Sequence, residues 1–503
     1  MLTRRELLTR LAGVAALPLA AAACGRASSG VSAPRVTGPL HYSSLANVAS
    51  LLAAREIQSL SLTRQLLDRI AEVDGRLQSY VTVTADRAIA GARRADAEIL
   101  AGRYRGPLHG VPIAVKDLCY TRGVRTMAGT KVFADFTPDF DATVVARLEA
   151  AGAVILGKLA LCEGAFGPYY PGFQVPVNPW DSTRWSGVSS SGSGVATAAG
   201  LCFASVGTDT GGSIRYPSAA NGCVGLKPTY GRVSRYGVFA LAASMDHVGP
   251  MTRTVEDAAI MFEAMAGADP HDPSSLPDPV PGVRAELGRG IAGIRVGFDR
   301  RYATDDVDAD VAAAMDDVLT TLARLGAIVV TVEMPDVTQV GRAWLDLCAV
   351  EALAAHARTF PSRAGAYGPG LRAALESGQR VTPAKLAAAS RVRSEVSASI
   401  EAMLGTVDAL VCPSMANSAR VKEADPFDEE TDESWSANVR NDIHTQPFNF
   451  SGSPTLSVPC GFSADGLPLS VQFVGRRLSE SVLCRIGHAY EQATPWRSKH
   501  PAI

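Results

Sequence analysis

The sequence predicts a layered α/β fold around a largely buried sheet, and two observations support this prediction. Amphipathic helical segments alternate with short apolar runs, as in ATVVARLEAAGAVILGKLAL, where a helix, a glycine turn and the strand AVILG follow one another. The 503 residues are 47% hydrophobic and only 19% charged, which suits a protein with a large core. The net charge of −2 gives no electrostatic reason to expect a nucleic-acid partner.

Residues 1–24 have the layout of a signal peptide, with a basic start, a short apolar stretch and small residues at the end. Arg4 and Arg5 resemble the pair of a twin-arginine export signal, and Cys24 after three alanines resembles a lipoprotein acylation site. The apolar stretch is too short to span a membrane. We therefore expect an exported protein of the cell envelope or extracellular space, with a lipid anchor on Cys24 as its one membrane contact.

The rest of the chain predicts a linker followed by one domain. Residues 25–40 are rich in Pro, Gly and Ser and form the predicted linker, and no comparable linker recurs within residues 41–503. The nine cysteines are scattered, contain no C-x-x-C pair and lie mostly in apolar stretches. They therefore predict buried thiols rather than a metal site or a redox motif.

The first strong helix signal is SLTRQLLDRIAEVD, for which Ser61 or Thr63 is the candidate N-cap. The apolar positions that share one helical face in this segment are Leu62, Leu66, Ile70 and Val73. Further on, VPIAV predicts a buried strand that ends at Lys116. The segment from Asn178 to Asp209 predicts a loop, a Ser/Gly turn, a short helix and a strand, in that order.

The second half of the chain repeats the alternation. The runs that predict strands are GIRVGFD, AIVVTVEM, DALVCPS, SPTLSVPCGF and PLSVQFVG. The segments that predict helices are DVDADVAAAMDDVLTTLARLG and SESVLCRIGHAYEQAT. Residues 301–440 are richer in helix and contain the acidic stretch EADPFDEETDESW, so they predict a cover over the core that ends in a solvated loop.

The stretch VGTDTGGSIRYPS places two glycines directly before Ser213. Without a Cβ, the backbone can approach a substrate carbonyl closely, and successive N–H groups can converge on an oxyanion. We therefore expect the amides of Thr210, Gly211 and Gly212 to form an oxyanion hole. The nearby SGVSSSGSGVAT lacks the Lys-Ser/Thr that a phosphate-binding P-loop requires after its last glycine.

A nucleophilic serine needs a base, and the familiar arrangements are absent. The sequence contains no G-x-S-x-G elbow and no S-x-x-K pair, and no histidine has a recognisable partner pattern. Lys116 stands out because lysines are few and it ends an apolar strand. Burial would lower its pKa and yield a neutral amine that can act as a base, whereas an ion pair with Asp117 is the structural alternative.

These motifs together resemble the amidase signature family. The matching blocks are GVPIAVKD, NPWD, GVSSSGSGVATAAG, GTDTGGSIRYPSAANGCVGLKPTYGRVSRYG, MDHVGPMTRTVEDAA, FNFSGSPTLSVPCGF and GLPLSVQFVGRR. The resemblance implies one α/β/α domain with a central mixed sheet and no metal or organic cofactor. It also implies a Ser–Ser–Lys triad, in which Ser213 is the nucleophile, Ser189 follows a cis peptide bond and relays protons, and Lys116 is the base.

The resemblance implies hydrolysis of a carboxylic amide to an acid plus an amine or ammonia, through an acyl-enzyme on Ser213. The expected partner is a small-molecule amide, and a homodimer is left open. One alternative is the glutamine-hydrolysing subunit of the tRNA-dependent amidotransferase, in which Asp442 occupies a position associated with glutamine binding. The export signal argues against this alternative. Another is a non-catalytic envelope binding protein, although all three triad side chains are present.

Overall fold

A computed structural model describes residues 38–422 and 440–503 of the protein. The predicted signal peptide with Cys24, the linker up to residue 37 and the acidic stretch after residue 422 lie outside these residues. Among the helices that are described, none is both long and apolar enough to cross a membrane.

Within the described residues, eleven strands form one mixed sheet in the order β1-β3-β2-β4-β6-β5-β10-β11-β9-β7-β8. The strands are β1 Tyr80–Val83, β2 Pro112–Lys116, β3 Val154–Leu159, β4 Ala204–Asp209, β5 Val224–Lys227, β6 His247–Thr252, β7 Arg295–Phe298, β8 Ile328–Thr331, β9 Ala409–Pro413, β10 Thr455–Phe462 and β11 Pro468–Val474. Neighbours pair in parallel in β3-β2-β4 and in β9-β7-β8, and the other pairs are antiparallel.

Every residue of β2, β3, β4, β6 and β11 is buried, because helices cover both faces of the sheet there. The helices are α1 Leu45–Ala53, α2 Ser59–Leu77, α3 Ala85–Leu100, α4 Thr143–Ala150, α5 Ser191–Ala198, α6 Arg215–Asn221, α7 Val255–Met265, α8 Val283–Glu286, α9 Arg300–Thr304, α10 Ala309–Arg324, α11 Val340–Ala355, α12 Pro369–Arg380, α13 Pro383–Leu404, α14 Gln446–Phe450 and α15 Glu480–Gln492. The predicted α/β/α fold with a central mixed sheet is confirmed.

The start of α2 differs from the prediction. The helix begins at Ser59, so Ser61 and Thr63 lie inside it and neither is the N-cap. A carboxylate from α3 takes over the capping role, since Asp96 accepts hydrogen bonds from the backbone N–H groups of Ser59 at 2.7 Å and Leu60 at 2.9 Å. An acidic group there also suits the positive end of the helix dipole.

Three segments that carry the candidate catalytic residues meet at one edge of the sheet. Strands β2 and β4 are parallel neighbours, with Val115 opposite Val206, so their carboxyl ends lie side by side. Lys116 is the last residue of β2, and the turn that contains Ser213 follows β4 directly. Helix α5 starts at Ser191, which places Ser189 just before it. The fold therefore brings these three residues to a common region, as ligand sites at carboxyl strand ends do.

The described cysteines fit the prediction for them. All eight are buried and none forms a disulfide. Burial raises the pKa of each of these thiols, as for Cys119, where it reaches about 11. Thiols of this kind are inert packing groups at neutral pH.

Candidate active site

Lys116 lies at the centre of a cluster of hydroxyl groups. Its Nζ contacts Ser189 Oγ at 2.7 Å, Ser190 Oγ at 2.9 Å and Thr208 Oγ1 at 2.9 Å, and its side chain is fully buried. The alternative partner Asp117 instead forms an ion pair with Lys158, at 3.7 Å between Oδ1 and Nζ. Lys116 is thus held by neutral groups, which leave its amine free to exchange protons.

Burial also decides the charge of this amine. Removal from water penalises the ammonium form and lowers the pKa of Lys116 from 10.5 to about 8. A large fraction of the side chain is therefore neutral at mildly alkaline pH. A neutral amine at hydrogen-bond distance from a hydroxyl has the geometry that general-base catalysis requires.

Ser189 and Ser213 belong to neighbouring segments with different exposure. Ser189 is only 1% exposed, and the Val188–Ser189 peptide bond is cis, as the resemblance implied. Ser213 is partly exposed and lies in the turn between β4 and α6. The backbone N–H of Ser190 donates to the carbonyl oxygen of Ser213 at 3.3 Å, which ties the two segments together. Of these serines, Ser213 is the one that a substrate can reach.

The two glycines before Ser213 are required by close packing. A Cβ on Gly211 would lie 2.8 Å from the ring of Trp344, and a Cβ on Gly212 would lie 2.5 Å from the ring of Tyr216. Gly212 also has φ of +144°, which favours glycine. The loop therefore accepts no side chain at either position.

Asp209, at the end of β4, organises this loop through its carboxylate. Oδ1 accepts the Gly212 N–H at 2.9 Å, and Oδ2 accepts the Ile214 N–H at 3.0 Å. The Gly212 amide, which we expected in the oxyanion hole, is thus already directed at Asp209. For the amides of Thr210 and Gly211, the oxyanion hole stays a prediction. Asp209 itself was not singled out from the sequence, although it lies within the GTDTGGS motif.

Arg215 fixes Asp209 from the other side. Its Nη2 lies 2.8 Å from Asp209 Oδ1, and both side chains are fully buried. Burial alone would raise the pKa of Asp209, but the charge and hydrogen bonds of Arg215 hold the pKa well below its usual range. The remaining guanidinium hydrogen bonds reach the last part of the chain, with Thr445 O at 2.9 Å, Gln472 Oε1 at 3.1 Å and Asn449 Oδ1 at 2.6 Å.

Asp442, the candidate substrate-binding residue, lies next to this loop. Its Oδ1 accepts a hydrogen bond from the Tyr216 hydroxyl at 2.6 Å, and the Tyr216 ring packs against Gly212. The Tyr216 side chain therefore lies between the Asp442 carboxylate and Gly212, the residue before Ser213.

A cavity of about 270 Å³ adjoins the hydroxyl cluster. Thr208, which contacts Lys116, forms part of its wall together with Thr210, Leu118, Phe239 and Asp246. Lys116, Ser189 and Ser213 themselves do not line this cavity, which reaches the hydroxyl cluster through Thr208. In the described part of the chain, no three His, Cys, Asp or Glu side chains are grouped so that they could hold a metal ion.

Comparisons with known proteins cover nearly the whole of this architecture. A family model described as Amidase matches residues 61–484. The chain is 47% identical over 466 residues to "Putative amidase AmiD" of Mycobacterium tuberculosis, with 91% of this chain and 96% of the relative covered. It is 38% identical over 492 residues to a subunit of the Glutamyl-tRNA(Gln) amidotransferase of Chloroflexus aurantiacus, with 92% and 99% covered.

A similar match is found among solved structures. The native peptide amidase from Stenotrophomonas maltophilia superposes with a TM-score of 0.75 at 33% identity, and the match covers 91% of this chain and 98% of that one. The region that the family model matches contains Lys116, Ser189 and Ser213.

Proposed function

Because the chain belongs to the amidase signature family, it hydrolyses carboxylic amides, and we propose that Lys116, Ser189 and Ser213 carry out the reaction. The observation that supports this proposal most strongly is the 2.7 Å contact between Lys116 Nζ and Ser189 Oγ, both fully or almost fully buried. A buried amine with a lowered pKa beside a hydroxyl group can act as a base on that hydroxyl, which supports Lys116 as the base and Ser189 as its partner.

In the proposed reaction, neutral Lys116 takes the proton of Ser189 while Ser189 takes the proton of Ser213. Ser213 Oγ then attacks the amide carbonyl carbon, and backbone N–H groups of Thr210 and Gly211 stabilise the oxyanion. Collapse of the tetrahedral intermediate breaks the C–N bond, and the relay returns the proton to the leaving amine. In the last step, the same relay takes a proton from a water molecule. This water attacks the ester on Ser213 and releases the acid.

The charge of Lys116 predicts how the reaction depends on pH. We expect kcat/KM for an amide whose own charge is constant to rise tenfold per pH unit at low pH and to level off above about pH 8, because only neutral Lys116 accepts a proton. A pH–rate profile between pH 5 and 10 measures this acid limb. A profile that is flat from pH 6 to 9 would contradict the assignment of Lys116 as the base.

The substrate class is to be found with a panel of amides. The panel contains small aliphatic primary amides, a fatty amide, an anilide and a peptide amide, with release of acid followed for each and intact mass measured for an acyl group on Ser213. Hydrolysis of at least one class together with acylated protein supports the proposal. A folded protein that hydrolyses none of these amides and takes up no acyl group would contradict the proposed roles of the three residues and favour a binding protein.

A second candidate function is hydrolysis of glutamine for a tRNA-dependent amidotransferase. The 38% identity to the amidotransferase subunit and the place of Asp442 beside Tyr216 favour it. Glutamine is therefore added to the panel. Glutaminase activity that depends on a copurified second subunit would favour this candidate over an independent amidase.

We further propose that the protein is exported and anchored through a lipid on Cys24, on the strength of the paired arginines and the small residues before the cysteine. Cys24→Ser is expected to move the protein from the membrane fraction to the soluble fraction without changing its specific activity. Fractionation of cells with an immunoblot measures this. An unchanged membrane fraction would contradict lipidation.

A further inference from the structure

Trp344 is a residue of the cover that touches the loop before Ser213. It lies on α11, and its indole Nε1–H donates a hydrogen bond to the carbonyl oxygen of Thr210 at 2.8 Å. The same ring lies against Gly211, where a Cβ would come within 2.8 Å of it. Phe166 stacks beside the indole, with ring centroids 6.1 Å apart and planes 9° apart, which restricts rotation of the ring.

This hydrogen bond sets the direction of an amide that matters for catalysis. The Thr210 carbonyl and the Gly211 N–H belong to one planar trans peptide unit, in which C=O and N–H point in opposite directions. Holding the oxygen towards Trp344 therefore turns the Gly211 N–H to the opposite side of the loop. Without this restraint, a peptide unit between Thr210 and a glycine could rotate readily.

The next peptide unit of the loop is fixed in the same way at both ends. The Gly211 carbonyl accepts the Thr445 hydroxyl at 2.6 Å, and the Gly212 N–H donates to Asp209 Oδ1 at 2.9 Å. The Gly212 N–H is therefore already bonded to Asp209. In the preceding peptide unit, between Thr210 and Gly211, Trp344 binds only the carbonyl oxygen. The two adjacent units thus have their orientations set by different side chains.

We propose that Trp344 is a positioning residue for amide hydrolysis, which orients the Gly211 N–H towards the oxyanion through its hydrogen bond to the Thr210 carbonyl. The inference rests on the proposed function, since it assumes that Gly211 lies in the oxyanion hole of Ser213. It assigns Trp344 an effect on the transition state rather than on binding of the substrate.

The test removes the indole N–H and keeps the ring. In Trp344→Phe, kcat for the best amide of the panel is expected to fall about 10- to 100-fold with KM unchanged, because loss of an oxyanion donor acts on the transition state. The Ki of an aldehyde analogue of the same acid should rise by the same factor as kcat/KM falls. Trp180→Phe is the matched control, since it removes an indole N–H that donates to the Asn221 carbonyl at 2.9 Å and not to the loop before Ser213, and its kcat should stay within about threefold of the wild type.

A second variant covers the case in which Trp344→Phe does not fold. Replacement of Trp344 by benzothienylalanine exchanges the N–H for sulfur at nearly constant shape, and its thermal unfolding should match the wild type. The proposal is overturned if the folded variants keep kcat within threefold of the wild type, or if KM rises while kcat is unchanged, which would make Trp344 a contact of the substrate. If the wild type itself hydrolyses no amide, the proposed function fails instead.

Discussion

Replacing Ser213 with alanine is expected to lower kcat for amide hydrolysis by about 10⁴- to 10⁶-fold and to abolish covalent labelling by a fluorophosphonate. The reason is that Ser213 is the partly exposed serine at the end of the proposed relay, whereas Ser189 and Ser190 are buried. The thermal unfolding midpoint should change by less than about 2 °C, since a partly exposed side chain is shortened by one atom.

Ser193 offers a matched control for this variant. It lies in α5, close to the same region, but its Oγ donates to the Val206 carbonyl at 3.0 Å and does not contact Lys116. Ser193→Ala should keep both turnover and fluorophosphonate labelling. Labelled and active Ser213→Ala protein would show that the nucleophile is another residue.

The second large effect is expected at Lys116. In Lys116→Met, kcat should fall about 10²- to 10⁴-fold, because Ser189 loses the group that accepts its proton. The fold should persist, since methionine fills a similar volume and removes the cost of burying an amine. One of the three hydroxyl groups keeps other partners, as Ser190 Oγ donates to the Thr208 carbonyl at 3.1 Å and accepts the Thr208 N–H at 3.2 Å.

Two further measurements separate the loss of a base from general damage. Residual activity of Lys116→Met should lack the acid limb near pH 8, and Lys116→Arg should be as inactive as Lys116→Met because a guanidinium stays protonated. Lys385→Met, on the exposed start of α13, should behave as the wild type. Wild-type kcat in Lys116→Met would refute the assignment.

Apolar runs identified most of the strands, because a strand buried on both faces is apolar throughout, although the edge strand β8 is apolar and largely exposed. VPIAV and AVILG became β2 and β3, and the runs in the second half became β7 to β11. Strands β5 and β6 carried no such signal. β6 has the sequence HVGPMT, in which glycine and proline hide a strand that is nonetheless fully buried between β4 and β5.

Lys116 and Ser213 could be proposed from the chemistry of their own segments, whereas Ser189 came from the resemblance to the amidase signature family. Trp344 could not, since nothing in α11 indicates which loop its indole will reach. The engagement of the Gly212 amide by Asp209 was equally hidden, because it depends on the path of a turn and not on residue types. Partners that are distant along the chain are fixed only by the packing of the sheet and its cover.

The guanidinium of Arg215 binds Asp209 in the loop before Ser213. It also donates hydrogen bonds to Thr445, Asn449 and Gln472 near the end of the chain. Ser213, the proposed nucleophile, is therefore synthesised long before the residues that hold Arg215 in place. Until residue 472 has emerged, Arg215 lacks its full set of partners, and the loop depends on nearer contacts such as those of Asp209 with the Gly212 and Ile214 amides. We therefore expect the loop to reach its final shape, and amide hydrolysis to begin, only when synthesis is almost complete.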